Sequence, residues 1–372
     1  MQTNNYDGIA LFSGGLDSIL AVKLLEEQGL KIKCLHFVAP FFGKPEKLER
    51  WRRIYGVDVE AVDIAEDFAS LLRQGPAHGF GSVLNPCVDC KVLLVRKAAE
   101  LVPAYGAKFI ASGEVLGQRP MSQRRDTLNI IRRDGGVKNL LLRPLCAQLM
   151  DPTEAELTGL VDRSKLLNIS GRGRKRQMEL AAAWGIREIP TPAGGCLLTE
   201  TENGRSFWPV LRYTPARGDD FRQARSGRQC WSFKDGAAYW LCIGRNNDDN
   251  AALHAFAGEG DITFKVRDYP GPLALLRRFP TIRGAALDAD WPDDVLGDAA
   301  AFAASFSGKA SRAGAEGAAI AVRAHSGPKG LDGPGRVLEV APGRTTAMGW
   351  AEFPWERARE EIRQAYRVDN SE

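Results

Sequence analysis

Ile9-Ala-Leu-Phe-Ser13-Gly14-Gly15-Leu-Asp17-Ser18 is the stretch that decides the fold of this chain. Ile9 to Phe12 is an apolar run long enough for one buried strand. A serine and two glycines follow at once. From Asp17 the spacing turns helical, with Leu16, Leu20 and Leu24 on one stripe. A strand, a tight glycine loop and a helix amino terminus bring backbone N–H groups and the positive end of a helix dipole to one spot, where an anion can sit. Gly14 and Gly15 let the backbone approach a phosphate with no side chain in the way. Ser13 and Ser18 add hydroxyls, and Asp17 is placed to hold Mg²⁺ against the phosphates. The spacing excludes a Walker loop, because no Gly-Lys-Ser/Thr follows.

Outward from this stretch the chain alternates strand and helix. Lys31–Val38 reads as a second strand, Glu46–Tyr55 as a helix and Val57–Val62 as a third strand. The pattern predicts an α/β fold: a doubly wound, mostly parallel sheet, with ligands at the carboxyl ends of its strands. Phe37 ends the second strand beside the glycine loop, so its backbone is a candidate adenine contact. Phe109–Ser112 is a further strand. It ends in Gly113-Glu114-Val-Leu-Gly117-Gln118-Arg119-Pro120, which suits Gly113 and Glu114 to a nucleotide or Mg²⁺ contact. Leu140–Leu142 is a last short strand. Arg143 at its end reads as a counter-charge to phosphates or to a leaving pyrophosphate.

Two segments carry paired chemistry. Asn85-Pro86-Cys87-Val88-Asp89-Cys90-Lys91 opens a helix running to about Tyr105, with both thiols in its first turn, where the dipole favours thiolate. Two such thiolates clamp one metal or form a redox pair; spacing alone leaves this open, since no second pair follows at zinc-finger distance. Pro190-Thr-Pro192-Ala-Gly194-Gly195-Cys196 places a third thiol beside a glycine pair. Between these segments, residues 163–176 hold the densest positive charge. Arg172, Arg174 and Lys175 there are either a solvated face or phosphate contacts to ATP or an RNA backbone.

At 372 residues two domains are expected. The 44% hydrophobic and 26% charged residues are ordinary for a globular protein, and a net charge of +4 permits nucleic-acid binding without demanding it. The absence of a long apolar run predicts no membrane segment, and polar residues 1–7 predict no secretory signal. Seven cysteines without a dense framework suit a reduced, cytoplasmic setting. Cys34, Cys146, Cys230 and Cys242 sit among apolar neighbours and read as buried small hydrophobes. Residues 201–220 read as a linker rich in Gly, Arg, Asn and Pro. Beyond it, residues 221–372 read as a smaller α+β domain, with strands at Tyr239–Ile243, Asp261–Val266 and Gly317–Arg323 and a closing helix Trp355–Tyr366.

The Ser13–Ser18 word resembles the pyrophosphate loop of the N-type ATP pyrophosphatases, which have the adenine nucleotide alpha hydrolase-like fold. With the N-P-C-x-x-C element, G-E-V-L-G-Q-R-P and P-A-G-G-C, residues 1–200 resemble the sulfur-inserting branch of that family, the tRNA 2-thiouridylases and 4-thiouridine synthetases. The resemblance implies ATP-dependent thiolation of a tRNA uridine. The carbonyl oxygen is adenylated, with release of pyrophosphate, and sulfur then displaces AMP. It implies ATP and Mg²⁺ as cofactors, with Ser13, Gly14, Gly15, Asp17, Ser18, Phe37, Gly113, Glu114 and Arg143 around the nucleotide. It also implies a [4Fe–4S] cluster on Cys87, Cys90 and Cys196, with zinc the weaker alternative, fed by sulfide or a persulfide carrier. In this reading Cys87, Cys90, Cys196 and Asp17 are catalytic, and a homodimer is an allowed assembly. The amino-terminal RNA-capture domain of the 4-thiouridine synthetases is expected to be missing. In its place, G-R-N-x-x-x-N, D-I-T-F-K-V-R-D-x-P-G-P and P-K-G-x-x-G-P-G resemble the RNA-binding domain of NFACT-type proteins. That implies phosphate contacts at Arg245, Lys265, Arg267, Arg277, Arg278 and Lys329. Two further readings of the same residues are a non-catalytic ATP-binding RNA-binding protein and an amidating or base-modifying enzyme of the pyrophosphatase family.

Overall fold

The computed structural model describes residues 5–119, 122–190, 195–288, 290–327 and 335–366. It divides into two compact units, residues 1–199 and 200–372. The first unit is wound around five parallel strands: β1 (Gly8–Leu11), β2 (Ile32–Val38), β3 (Asp58–Asp63), β4 (Phe109–Ser112) and β5 (Leu141–Leu142), in the order β3-β2-β1-β4-β5. Its helices are α1 (Leu16–Glu26), α2 (Leu48–Tyr55), α3 (Ala65–Gln74), α4 (Cys87–Leu101), α5 (Arg125–Asp134), α6 (Glu154–Leu157) and α7 (Lys175–Ala183). Strand order reverses at β1, so the loops after β1 and β4 face each other at the switch point of the sheet. The predicted doubly wound fold is thus the observed one.

Packing explains why these loops sit where they do. Ile9 and Phe109 are fully buried, and Ile19, Leu20 and Leu25 of α1 seal one face of the sheet. Gly14 lies at φ 74°, the left-handed region, and a Cβ there would stand 2.2 Å from the Trp51 ring. Gly113 tolerates no side chain either. A Cβ there would lie 2.5 Å from the Asp17 carbonyl and 2.6 Å from the Ser18 nitrogen, so the β4 loop rests directly on the start of α1.

The second unit contains α8 (Thr201–Tyr213), α9 (Gly218–Gln223), β6 (Arg228–Lys234), β7 (Ala237–Ile243), α10 (Asn247–Phe256), β8 (Ile262–Val266), β9 (Leu273–Pro280), α11 (Asp293–Ala304), α12 (Gly308–Ala315), β10 (Ile320–Ser326), β11 (Arg336–Val340) and α13 (Trp355–Ala365). Among the described residues, its six strands form an antiparallel sheet in the order β11-β10-β8-β9-β7-β6, and α11 packs its alanine-rich face on β8, β10 and β11. The expected linker is corrected here. Residues 201–213 are the helix α8, whose Trp208 indole donates to Glu361 of α13 at 2.6 Å. Pro209 inside a helix costs about 3 kcal/mol. Phe207, Trp208 and Leu211 are all buried and return about 1.5–3 kcal/mol each, so the helix wins. No helix among the described residues is long and apolar enough to cross a membrane.

Candidate functional site

Within the first unit, the carboxyl ends of β1, β2 and β4 open into one cleft of about 320 Å³. Ser13, Gly15, Asp17 and Ser18 line it from the glycine loop, and Phe37 from the end of β2. Gly113 and Glu114 line it from the end of β4, and Cys196 from the far segment. Its wall also carries four cations, Lys44, Lys91, Arg119 and Arg174, against the carboxylates Asp17 and Glu114. A cleft with that balance attracts an anion.

The glycine loop is preset by its own hydroxyls. Ser18 donates to the Gly15 carbonyl at 2.7 Å, and the Gly15 amide donates to Ser13 Oγ at 3.3 Å. Asp17 accepts from Gln118 Nε2 through Oδ2 at 2.8 Å, and Arg174 stands 3.8 Å from the same oxygen. Its other oxygen, Oδ1, is buried and accepts no hydrogen bond. Such an atom fits a cation.

Glu114 is 4% exposed and sits in a charged cluster. Arg143 donates to its Oε2 at 3.0 Å, Ser112 donates at 3.1 Å, and Lys91 lies 3.6 Å from Oε1. Burial alone would raise its pKa, but Lys91 and Arg143 outweigh that and hold it below the usual carboxylate range. The expectation for Arg143 is therefore corrected. Its guanidinium is 3% exposed and bound to Glu114 and to the Leu128 carbonyl, and it does not line the cleft. A buried carboxylate requires this partner, and the pairing takes the arginine away from any phosphate.

The cysteines come from two segments tied by backbone. The Leu84 amide donates to the Leu198 carbonyl at 3.1 Å, three residues before Cys87 and two after Cys196. The Leu197 amide donates to the Phe41 carbonyl at 2.9 Å, anchoring Cys196 beside the end of β2. Asn85 Nδ2 donates to Cys87 Sγ at 3.2 Å. All three thiols are partly exposed. Burial is still the largest influence on Cys90 and pushes it up to about 12. Cys196 and Cys87 add to this, and Lys91 opposes. Burial thus works against the thiolate that a helix start favours at Cys90. The Leu84–Leu198 hydrogen bond ties together the two segments that carry the three soft sulfurs. Among the described residues, no three His, Cys, Asp or Glu side chains stand in a metal-holding arrangement.

Cys34, Cys146, Cys230 and Cys242 are buried, as their apolar neighbours predict. In the basic segment Arg174 reaches the cleft, while Arg172 and Lys175 are exposed to solvent. Sequence reasoning missed Lys44 and His36. His36 Nδ1–H donates to the Phe12 carbonyl, and its Nε2 accepts the Lys44 amide, both at 2.8 Å, which swings Lys44 onto the cleft. No local spacing announces this, because the contact crosses from β2 to the loop beyond it.

In the second unit the basic residues divide. Arg277 is no surface contact: it is ion-paired with Asp220 at 2.6 Å and Asp261 at 3.3 Å, and it is largely buried. Arg278 donates to the Asp288 and Asp290 carbonyls at 2.6 and 2.7 Å, and so caps a loop. Arg245 is paired with Asp249 and Arg267 with Asp268, which leaves each less charge to offer a phosphate. Lys265 is exposed on β8, directly opposite Arg323 of β10. Lys329 lies outside the described residues.

Residues 3–152 match the model of the ThiI family, described as a thiamine biosynthesis protein. A probable tRNA sulfurtransferase of Thermococcus kodakarensis is 28% identical over 146 residues, covering 37% of this chain and 36% of that protein. A tRNA sulfurtransferase of Proteus mirabilis is 31% identical over 147 residues, covering 37% of this chain and 29% of that protein. The chain thus spans about a third of the length of these curated relatives, and the family match ends at residue 152. Among solved structures, a U34-tRNA thiolase, NcsA from Methanococcus maripaludis with its [4Fe-4S] cluster, is similar at 16% identity. It has a TM-score of 0.29 and covers 60% of this chain and 73% of that one. At its amino-terminal end, over residues 3–152, this chain carries a domain of the ThiI family.

Proposed function

We propose that this protein is an ATP-dependent tRNA sulfurtransferase that replaces a uridine carbonyl oxygen with sulfur. The observation that carries the reading is that the Ser13–Ser18 loop and Cys196, 178 positions beyond Ser18, line one cleft. An adenylating loop needs no thiol, and a structural cysteine needs no place beside a phosphate cradle.

In this reading the amides of the Ser13–Ser18 loop and the start of α1 hold the β- and γ-phosphates. Asp17 Oδ1 holds Mg²⁺, and Lys44 and Arg119 balance the charge that develops on the leaving pyrophosphate. The backbone of Phe37 borders the adenine. The uridine oxygen attacks the α-phosphorus, the bond to pyrophosphate breaks, and the oxygen becomes part of an AMP leaving group. Sulfide attacks the uridine carbon that bears this oxygen, AMP departs with the oxygen, and the sulfide proton is lost to solvent. Cys87, Cys90 and Cys196 would hold a [4Fe–4S] cluster, which supplies an iron with an open position for a sulfur ligand. Sulfide feeds it directly; a persulfide carrier would feed it only with two electrons from an external dithiol, which is oxidised to its disulfide as the carrier's S–S bond breaks. Arg172, Arg174 and Lys175 take tRNA phosphates near the cleft. An NFACT-type second unit adds Lys265, with Arg323 opposite it, as sequence-independent phosphate contacts.

Pyrophosphate release with unfractionated tRNA tests the enzyme reading. Release stimulated by tRNA is the expected outcome. Nucleotide binding without turnover would instead favour a non-catalytic RNA-binding protein. Iron and sulfide counted in anaerobically purified protein, with its visible spectrum, test the cluster. Stoichiometric zinc without iron would contradict it.

A further inference from the structure

We infer that Gln118 and Gln177 are positioning residues for Asp17, a two-amide relay that holds its Oδ2 and leaves Oδ1 as the oxygen without a hydrogen bond. The inference rests on the reading of Asp17 as the carboxylate that holds the nucleotide's cation. Gln118 Nε2 donates to Asp17 Oδ2 at 2.8 Å, and Gln177 Nε2 donates to Gln118 Oε1 at 3.3 Å. An amide has one accepting end and one donating end. With its oxygen claimed by Gln177, Gln118 must turn its NH₂ toward Asp17. Arg174, three positions before Gln177, approaches the same Oδ2 at 3.8 Å. Oδ2 is therefore held from two directions, while Oδ1 stays buried and unbonded.

The far end of the relay shows that it is more than packing. Gln177 sits on α7 with no exposed surface, and its own Oε1 has no hydrogen-bond partner. A side chain kept there to fill space would be leucine or methionine, which leave no acceptor unmet. Instead the fold retains a buried amide whose one satisfied group points at Gln118. The relay also joins three separate stretches, the start of α1, the loop after β4 and the start of α7. Second-sphere hydrogen bonds of this kind set the orientation of a ligating carboxylate and change metal affinity by about 10–100-fold.

The test is Mn²⁺ binding to the full chain, read by electron paramagnetic resonance with a non-hydrolysable ATP analogue present. Gln177→Met preserves volume and removes only polarity. A packing role predicts equal or higher thermal stability and unchanged Mn²⁺ affinity. The relay predicts that stability holds while the Mn²⁺ dissociation constant rises by about tenfold. Gln118→Met should give the same rise, and the double variant should be no worse than either single one, because both break one chain. Should Gln177→Met fail to fold, Gln118→Met on its half-exposed loop carries the test. Unchanged affinity in the folded Met variants overturns the relay. Asp17→Asn separates the two levels. Undiminished Mn²⁺ binding in that variant defeats the cation reading itself, whereas its loss there, with normal binding in both Met variants, defeats the relay alone.

Discussion

His36 ties β2 to the glycine loop and to Lys44 through a single ring. Its Nδ1–H and Nε2 are both committed, to Phe12 and to Lys44, so the neutral tautomer is built into the cleft wall. Burial lowers its pKa below the ordinary histidine value, and the Phe12 carbonyl only partly offsets this. The unfolded chain takes up a proton near the ordinary value of about 6.5, and the folded one only at lower pH. The contribution to stability is therefore complete above about pH 6.5 and is lost as pH falls through the folded value. Melting temperatures measured between pH 7.5 and 5.5 should decline for the wild type, and His36→Gln should remove part of that slope. Parallel slopes for the two proteins would contradict the assignment.

Elements meet at the glycine on which α1 and β4 touch. Gly113→Ala puts a methyl 2.5 Å from the Asp17 carbonyl, and backbone cannot yield as a side-chain tip can. Nucleotide affinity, measured by calorimetry, should fall at least about tenfold as the start of α1 is displaced; unchanged affinity would refute the close approach. In α8, Phe207→Ala should destabilise the second unit by about 3–5 kcal/mol, read as a lowered denaturation midpoint, because the ring is 1% exposed. A loss below about 1 kcal/mol would count against α8 as part of that core. The first unit was legible in the sequence. Ile9–Phe12 and Phe109–Ser112 are short apolar runs ended by glycine words, and a parallel sheet buries such runs whole. The second unit was less so. Leu273–Pro280 reads Leu-Ala-Leu-Leu-Arg-Arg-Phe-Pro, with no alternation. It is a strand because both sheet faces are covered along its first half, and Arg277 finds Asp220 and Asp261 inside. Residues 201–213 hid a helix behind linker composition, since burial of Phe207 and Trp208 overrides local propensity. In the site, the glycine loop and thiols were visible as words, but Arg143 was misplaced because its partner Glu114 lies 29 residues away.

For the whole molecule, each unit has its own task in the proposed function: the first performs the chemistry and the second adds grip on RNA. Lys265 and Arg323 stand directly opposite one another, an arrangement of like charges that costs stability unless an anion lies across it. Replacing both with Glu should weaken tRNA binding and reduce the slope of log affinity against log salt by roughly 0.7–0.9 for each phosphate no longer neutralised. An unaltered slope would remove this face from the RNA path. The central claim is tested most directly by incubating anaerobically purified protein with ATP, Mg²⁺, sulfide and unfractionated tRNA, then digesting the tRNA to nucleosides for mass spectrometry. Wild-type protein should form thiouridine together with pyrophosphate. Cys196→Ala should form no thiouridine while its ATP affinity stays within about twofold of wild type, as the spacing of loop and thiol in one cleft implies. Thiouridine made at the wild-type rate by Cys196→Ala, or none made by the wild type, would contradict the account.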